Sequence, residues 1–423
     1  MEMMSSSVFF AGVSLSMSSD GERDSSSSIS LFFGKRKSVK TEKISFIVMY
    51  NRHYMSFLGK FFGKREAPSV LGVDIGSSAI KIVQIKKKSG QAVLETYGEL
   101  ALGPYGGATI GQAVQLPQEK IASALFDLMR EKEVNVTTTQ TGVAIPFASS
   151  LMSVIEMPEV SQKQLEVMVP IEARKYIPVP INEVMLDWSV IPKVYNPNEE
   201  DEDGKEKNNV LKRIDVLVVA IHNDTIARYQ TIIQKAGLEA GFFEIEIFST
   251  MRSVVEESLT PIMIMDMGAA TTKLYIIERG IIRASHTVNR GSQDITSTIS
   301  QSFGLSMEKA EIMKREIGAS GQDESLKNII SLVLEFIFAE TNRTLLNFEK
   351  KYNKSVSKVI LVGGGASMKG LNEITKNAFK TEAVMGNPFG KLATPAFIEN
   401  ILKETGPEFA VAIGAALRKL NDI

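Results

Sequence analysis

The chain has 423 residues, enough for about two or three domains of ordinary size. Its 48 basic and 49 acidic residues nearly cancel, so no bulk charge would recruit nucleic acid or an anionic membrane. It has no cysteine, which excludes disulfides, thiolate zinc sites and cysteine nucleophiles and is typical of a reducing cytoplasm. No apolar run approaches the roughly 20 residues that a membrane-spanning helix requires.

The N-terminal region, residues 1–67, is read as a disordered extension. Residues 1–54 are rich in serine and methionine and show neither helical nor strand periodicity. An alternative interpretation places the biological start at Met49 or Met55. Residues 57–65, FLGKFFGKR, interleave apolar and basic side chains, a pattern that also fits weak contact with a membrane surface.

From Val70 onward the pattern changes to alternating strands and helices. Strand-like runs at 70–75, 79–85 and 92–97 precede an amphipathic helix at 118–132. Further along, Ser161 and Gln164 have the spacing of a capping box. These features predict α/β layering, and Pro170 is expected to break or kink the helix that the box begins.

The middle of the chain contains a polar loop followed by another strand and helix. Residues 196–209, NPNEEDEDGKEKNN, lack apolar anchors and predict a solvated loop. The next run, IDVLVVAI, is typical of a buried strand, and DTIARYQTIIQKAGLE predicts a helix that ends near Gly237. The loop is therefore placed inside one subdomain.

Two distant segments have the same pattern: VDIGSSAIKIVQI at 73–85 and MDMGAATTKLYII at 265–277. Their alternating tails predict two β-hairpins, each with its Asp-x-Gly piece at the turn. Small residues there let backbone N–H groups approach an anion, and an aspartate could hold Mg²⁺ through waters. Two such turns facing each other would hold a polyphosphate from both sides.

Two further segments are candidates for holding a nucleoside. The run VILVGGGASMKGL at 359–371 predicts a strand that leads through three glycines to a helix, and its glycine spacing is not that of the usual nucleotide motifs. In SMEKAEIMKREIG, Glu311, Lys314 and Arg315 share one helix face, where they could bind ribose hydroxyls and stack on a base. Taken singly, the first is equally compatible with a tight turn and the second with surface ion pairs.

Taken together, the segments resemble the actin–Hsp70–sugar kinase superfamily of ATPases. The ordered set is DIGSSAIK, EIFSTM, DMGAATTK, AEIMKREIG, VGGGASMKG and AVAIGAAL, which covers about residues 70–423. Within the superfamily the chain resembles the PilM family of type IV pilus assembly, on the segments FLGKFFGKREAPSVLGVDIGSSAIKIVQI, IEMPEVSQKQLEVMVPIEARKYIPVPINEVMLDW, NRGSQDITSTIS and AETNRTLLNFEKKY.

The resemblance implies a two-lobed actin-like ATPase fold, ribonuclease H-like and of the α/β class, with an extra subdomain called 1C. It divides the chain into eight parts, which are 1–67 as an N-terminal extension, 68–149 as the first part of subdomain 1A, 150–246 as 1C, 247–260 as the 1A connecting helix, 261–305 as 2A, 306–357 as 2B, 358–405 as 2A again, and 406–423 as the C-terminal helix of 1A.

The resemblance also implies ATP and Mg²⁺ as cofactors. Asp74 and Asp266 would approach the metal through waters, and Lys81 would neutralise phosphate charge. Glu246 matches the position of a glutamate that orients attacking water in relatives, although a helix-start charge that satisfies backbone N–H groups is the alternative. The residues expected to bind ATP are Gly76, Ser77, Ser78, Lys81, Gly268, Ala269, Thr271, Thr272, Glu311, Lys314, Arg315, Gly363, Gly364, Gly365 and Met368.

Two departures from the family pattern argue against rapid hydrolysis but not against binding. Ala269 and Ala270 stand where many relatives carry glycines or hydroxyls, and Arg290-Gly291 replaces a pair of glycines. Whether the chain is an enzyme is therefore left open: it is expected to bind ATP and to have at most slow ATPase activity. Slow turnover would suit a nucleotide-dependent conformational switch.

The function implied by the resemblance is that of a cytoplasmic scaffold beneath the inner membrane of a type IV pilus or related type II secretion machine. Its partner would be a PilN-like membrane protein, whose cytoplasmic N-terminal peptide lies in a groove between subdomains 1A and 1C. Contact with the pilus assembly ATPase and self-association are further expectations, and no nucleic acid is expected. Segment 171–188 is a candidate part of the groove, with Trp188 as a core residue of 1C the alternative.

Two other functions are alternatives. An FtsA-like filament protein of cell division is the nearest alternative, but such chains usually carry an amphipathic C-terminal helix after a linker, whereas this sequence ends at AALRKLNDI. A small-molecule kinase or polyphosphate hydrolase of the same superfamily would need an acidic base that faces a substrate cleft. The sequence offers no clear candidate for that base.

Overall fold

The computed structural model describes residues 68–191 and 213–422. The predictions for residues 1–67 and for the polar loop 196–209 lie outside the described residues. Within them, no helix combines the length and apolar character that crossing a bilayer would demand.

The strands begin and end close to the predicted positions. Gly237 adopts a left-handed conformation just after a helix, as expected for a helix C-terminus. In chain order the strands are β1 (Ser69–Ile75), β2 (Ala79–Lys88), β3 (Gln91–Ala101), β4 (Gln140–Ile145), β5 (Ser150–Pro158), β6 (Val184–Ile191), β7 (Arg213–His222), β8 (Glu239–Ile245), β9 (Ile262–Met267), β10 (Thr272–Glu278), β11 (Ile281–Val288), β12 (Lys358–Val362) and β13 (Glu382–Met385).

Several helices begin with side-chain caps, including the predicted capping box at Ser161. Gln164 reaches back to the amide of Ser161 in a capping box, and the Asp323 side chain accepts from Ser325 N and Leu326 N. The α-helices are α1 (Gln118–Arg130), α2 (Gln162–Ala173), α3 (Asn223–Lys235), α4 (Glu246–Val254), α5 (Ser292–Phe303), α6 (Met307–Glu316), α7 (Glu324–Tyr352), α8 (Leu371–Phe379), α9 (Glu399–Thr405) and α10 (Ala410–Asn421).

Pro170 does not end its helix. It lies inside α2, which continues to Ala173. Proline removes one backbone hydrogen bond, but Leu165, Val169 and Ala173 are buried on one face of the helix. Packing of that face supports the last turn, so of the two expected outcomes, a break or a kink, the break does not occur.

Two five-stranded sheets are built on the same plan. Their strand orders are β3-β2-β1-β4-β8 and β11-β10-β9-β12-β13. In each sheet the first three strands are antiparallel and the last two are parallel to the central one. Each sheet forms the centre of one lobe, and the two predicted hairpins are β1–β2 and β9–β10.

A third sheet, with the order β5-β7-β6, lies beside the first lobe. Side chains of β7 alternate between its two faces, as the strand period requires. Val216 and Val218 pack with α2, while Leu217 and Val219 join the core of the first lobe. The third sheet is thus anchored on one face and covered by α2 on the other.

Two predicted boundaries differ from the structure. The part assigned to 1C, residues 150–246, includes α3 and β8, but β8 pairs with β4 in the first sheet and α3 packs on α1. The part 358–405 assigned to the second lobe includes Phe389, Leu392 and Leu402, which pack in a core with β2 and β3. In both cases the local sequence pattern fits either of two neighbouring subdomains. Contacts between segments distant in the chain decide to which one the segment belongs.

Helices α4 and α10 cross closely on the first sheet. A Cβ atom at Gly414 would lie 1.8 Å from the Ser249 backbone oxygen, and one at Gly72 would lie 1.9 Å from the Ala412 oxygen. Only glycine permits such approach of two backbones. Helix α10 therefore packs directly against the backbones of both α4 and β1.

Candidate functional site

The two Asp-x-Gly turns face one cavity between the lobes. Each turn is closed by its own backbone bond, from Gly76 N to Ala79 O and from Gly268 N to Thr271 O, both 2.9 Å long. In both hairpins the aspartate lies directly across the sheet from the lysine of the same motif, Asp74 from Lys81 and Asp266 from Lys273. The repeated pattern thus has one geometry in both lobes.

The cavity has a volume of about 310 Å³ and is lined by residues from both lobes. All the predicted site residues except Thr272 lie on its wall. They are Asp74, Gly76, Ser77, Ser78, Lys81, Glu246, Asp266, Gly268, Ala269, Thr271, Glu311, Lys314, Arg315, Gly363, Gly364, Gly365 and Met368.

Thr272 points away from the cavity. Its side chain is buried, and its hydroxyl donates to the Arg290 backbone oxygen over 2.8 Å. Thr272 is the first residue of β10, and successive strand residues point to opposite faces. Its neighbours Thr271 and Lys273 therefore face the cavity, and the expectation that the Thr272 hydroxyl would contribute was wrong.

Lys273 lies at the centre of the charged floor and was not among the predicted residues. Its ammonium is 2.7 Å from Glu246 Oε2 and 3.5 Å from Asp266 Oδ2. Burial acts to lower the pKa of Lys273, but Asp266 and Glu246 outweigh it and raise the pKa, which keeps the group cationic. The sequence could have predicted Lys273, because it occupies the same position in the second copy of the motif as Lys81 in the first.

Glu246 begins α4 at the junction of the two lobes. Its Oε1 accepts from the Phe147 amide over 2.6 Å, and its Oε2 binds Lys273 of the other lobe. The carboxylate is buried and lines the cavity. Glu246 therefore satisfies the backbone N–H group of Phe147, which is outside α4. It also faces the space where a ligand would lie.

Asp74 and Lys81 form the matching pair in the first lobe. Burial raises the pKa of Asp74 to about 7, and Glu246 adds to this while Lys81 opposes it. The ammonium of Lys81 binds Glu99, with Nζ 3.2 Å from Oε1. A buried carboxylate of this kind would be stabilised in its ionised form by a nearby cation.

The charged face of α6 forms a network at one side of the cavity. Glu311 binds Lys314 and Arg315 at 2.7 Å each, and its Oε2 also accepts from the Thr296 hydroxyl at 2.6 Å. Burial acts to raise the pKa of Glu311, but Lys314 outweighs it and lowers the pKa. The predicted shared face is thus present and orders these side chains without a ligand.

The glycine-rich turn after β12 forms another part of the cavity wall. Gly363 has φ +85°, and a Cβ atom there would lie 2.5 Å from Asp266 Oδ1. A Cβ atom at Gly365 would lie 2.5 Å from Met267 Cγ. Glycine is needed here so that the turn can lie against the end of β9 while still lining the cavity.

The residues present fit a magnesium–polyphosphate group. The amides of Ser77, Ser78, Ala269 and Ala270 donate to no acceptor in the part of the chain that the structure describes. The Thr250 hydroxyl lines the cavity and is buried, again with no partner among those residues. Free N–H groups in two small-residue turns suit phosphate oxygens, and the two aspartates suit a hydrated divalent cation.

A loop between β3 and α1 joins the two phosphate-facing turns. Leu102 N donates to Ser78 O at 2.8 Å and Val114 N to Ser77 O at 2.9 Å. From the second lobe, the side-chain oxygen Oε1 of Gln293 accepts from Ala113 N at 2.6 Å. The backbone N–H of Gln293 donates to Ala269 O. Gln293, which sequence reasoning missed, therefore contacts the surroundings of both turns.

Glu408 is an acidic residue of the cavity that sequence reasoning missed. It faces Glu99, Lys81 and Arg315. Burial, and then the Glu99 carboxylate, raise the pKa of Glu408 to about 7. The folded protein therefore binds this proton more tightly than the unfolded chain does.

This shift predicts a pH-dependent stability. The contribution of protonated Glu408 is fully present below its ordinary pKa of 4.5 and is lost as the pH rises through about 7. Glu408→Gln should therefore match the parent protein near pH 5 and exceed its free energy of unfolding by about 2 to 3 kcal/mol near pH 8. Urea denaturation at both pH values measures this difference.

The exposed Glu404→Gln is the matched control and should show no such gain at high pH. The raised pKa of Asp74 adds a similar fall in stability to both proteins, so it cancels from the difference. If Glu408→Gln changed the free energy of unfolding by the same amount at both pH values, the raised pKa of Glu408 would be contradicted.

Comparison with known proteins shows which family the chain resembles. Residues 72–420 match the family model described as "Type IV pilus assembly protein PilM". Among solved structures, the "PilM-PilN type IV pilus biogenesis complex" is similar with a TM-score of 0.69 and 25% identity, over 83% of this chain and 98% of that one. The ethanolamine utilization protein EutJ from Carboxydothermus hydrogenoformans is similar in fold, with a TM-score of 0.50 and 15% identity over 84% of this chain and 91% of that one.

More distant similarity connects the chain to cell division protein FtsA. The protein from Neisseria meningitidis serogroup B is 21% identical over 81% of this chain and 88% of that protein. The Escherichia coli K12 protein is 21% identical over 49% of this chain and 55% of that protein. The predicted two-lobed actin-like fold is thereby confirmed, and on the family match over most of its length the chain belongs to the PilM family of type IV pilus assembly proteins.

Proposed function

We propose that this protein is a cytoplasmic, ATP-binding scaffold at the inner-membrane side of the pilus assembly machine. The observation that carries the proposal is the single cavity where the two Asp-x-Gly turns meet, in a chain of the PilM family. It combines the carboxylates of Asp74 and Asp266, the ammonium groups across the hairpins from them, and two sets of free backbone amides. This is the donor set that a magnesium–nucleotide needs.

The nucleotide is held by residues of both lobes. Asp74 and Asp266 hold Mg²⁺, which neutralises phosphate charge when it is bound. Backbone amides of the turns at Ser77 and Ala269 bind phosphate oxygens, and Lys81 supports them. The remaining contacts come from the α6 face around Glu311 and from the glycine-rich turn at Gly363, which hold ribose and base.

Binding rather than turnover is the main role of the site. Glu246 lines the cavity, where it would orient a water, and its two oxygens accept from Phe147 N and Lys273. Each oxygen can accept a further hydrogen bond, so these two contacts restrict the directions from which a water can bind, which is compatible with slow hydrolysis. A bound nucleotide that contacts both turns would also strengthen the Gln293 connection and favour the closed arrangement of the lobes.

The partner of the scaffold is the cytoplasmic N-terminal peptide of a PilN-like membrane protein. Support comes from the similar solved structure, which is itself described as a PilM-PilN complex. In this chain, the candidate groove segment 171–188 presents Ile171 and Tyr176 as exposed apolar side chains. Trp188 instead packs against the core of the third sheet, so the groove is assigned to the exposed residues around it. Peripheral membrane association and contact with the assembly ATPase follow from this partner.

A peptide titration tests the partner. A synthetic N-terminal peptide of the organism's PilN-type protein is expected to bind the purified chain, as measured by calorimetry. Ile171→Asp should weaken binding at least about tenfold, because a charge replaces an apolar contact in the groove. The matched control Phe397→Asp replaces an exposed aromatic side chain in the turn just before α9 and should bind normally. Absence of binding to the parent chain, with or without ATP, would contradict the scaffold role.

A further inference from the structure

The long helix α7 carries an apolar stripe on its outer face. Leu332, Phe336 and Leu346 are 64%, 51% and 54% exposed, unusual values for large apolar side chains in one line. Ala339 and Arg343 are exposed between them. The spacing of these five residues is that of one helix face, so they form a single strip, the α7 stripe.

The α7 stripe is symmetric about Ala339. Leu332 lies seven residues before it and Leu346 seven residues after it. If two copies of α7 met antiparallel with Ala339 at the twofold axis, Leu332 of each would lie opposite Leu346 of the other. A small residue at the crossing lets the two helices approach closely. This is the pattern that an isologous twofold contact requires.

Charges along the stripe have the same symmetry. In that register Glu335 of one copy lies opposite Arg343 of the other, twice across the axis. Glu335 forms no salt bridge with any residue in ranges 68–191 and 213–422, and the contact of Arg343 with Glu340 is long at 3.7 Å. Both groups are therefore available for a partner, and their signs are complementary. A parallel pairing would instead place like charges side by side.

We propose that the α7 stripe is a homodimer interface through which two copies of this chain pair antiparallel. The inference does not depend on the proposed nucleotide or peptide sites, since no residue of the stripe lines the cavity or the candidate groove. From Leu332 to Leu346 the contact extends about 21 Å along the helix. A single helix face of this length buries less area than stable dimers do, so the dimer is expected to be weak and concentration-dependent.

Cysteine cross-linking tests the register directly, because the full chain contains no cysteine. Ala339→Cys places two thiols at the twofold axis and should yield a covalent dimer with a short bis-maleimide. The matched control is Ser325→Cys in the exposed first turn of α7. In the antiparallel pair its two copies lie about 42 Å apart, beyond the reach of the reagent. We expect at least about tenfold more dimer from Ala339→Cys.

Charge reversal supplies an independent measurement by sedimentation velocity over a concentration series. Glu335→Lys should lower the dimer fraction about tenfold, and adding Arg343→Glu should restore it, because the exchanged charges are again complementary. Equal cross-linking of the two cysteine variants would overturn the antiparallel register. A parent chain that stays monomeric at every concentration, or dimers unaffected by Leu332→Asp, would overturn the interface.

Discussion

Replacing Asp266 by alanine is expected to abolish magnesium-dependent ATP binding, and Asp74→Ala should do the same. Each aspartate lies across its hairpin from a lysine that lines the same cavity, and removing one carboxylate leaves one ligand fewer for the cation. The affinity measured by calorimetry in the presence of Mg²⁺ should fall at least about 100-fold.

The protein should remain folded in both variants. Lys273 keeps its contact with Glu246 when Asp266 is removed, and Lys81 keeps Glu99 when Asp74 is removed. Asp224→Ala, at an exposed position in the first turn of α3, is the matched control and should bind ATP normally. Undiminished affinity in both pocket variants would show that the nucleotide lies elsewhere.

The largest effect on folding is expected from Gly414→Ala. The added methyl group would lie 1.8 Å from the Ser249 backbone oxygen, and backbone cannot rotate aside as a side chain can. Helices α4 and α10 must separate to accommodate it, which we expect to cost about 3 kcal/mol or more. The midpoint of urea denaturation measures this loss.

Gly406→Ala is the matched control because that glycine has helical backbone angles and nothing closer than 3.4 Å to its added methyl. It should be neutral or stabilising by up to about 1 kcal/mol. A Gly414→Ala protein as stable as this control would refute the close crossing of the two helices.

The sequence allowed the hairpins to be predicted because their signals are local. In DIGSSAIK and DMGAATTK, an alternating strand pattern follows a turn of small residues, and both features are decided by neighbours in the chain. The meeting of the two turns required more, since it depends on how the lobes pack. It could be inferred only because the motif occurs twice.

Other parts could not be read from local pattern. The contact of Lys273 with Glu246 joins residues of different lobes, and the pairing of β8 with β4 is decided by which sheet edge is free. By contrast, strand alternation alone predicts that the Thr272 side chain points away from the cavity. Counting from Asp266 across the hairpin would have selected Lys273 and excluded Thr272.

The lysines of the cavity should differ in their reactivity toward amine-modifying reagents, which attack only the neutral amine. Nearby carboxylates outweigh burial and raise the pKa of both Lys81 and Lys273, so these two remain ammonium ions and resist acylation. Burial lowers the pKa of Lys314 despite its contact with Glu311. A covalent probe designed for this cleft should therefore carry its electrophile toward α6, where the proton is held least firmly.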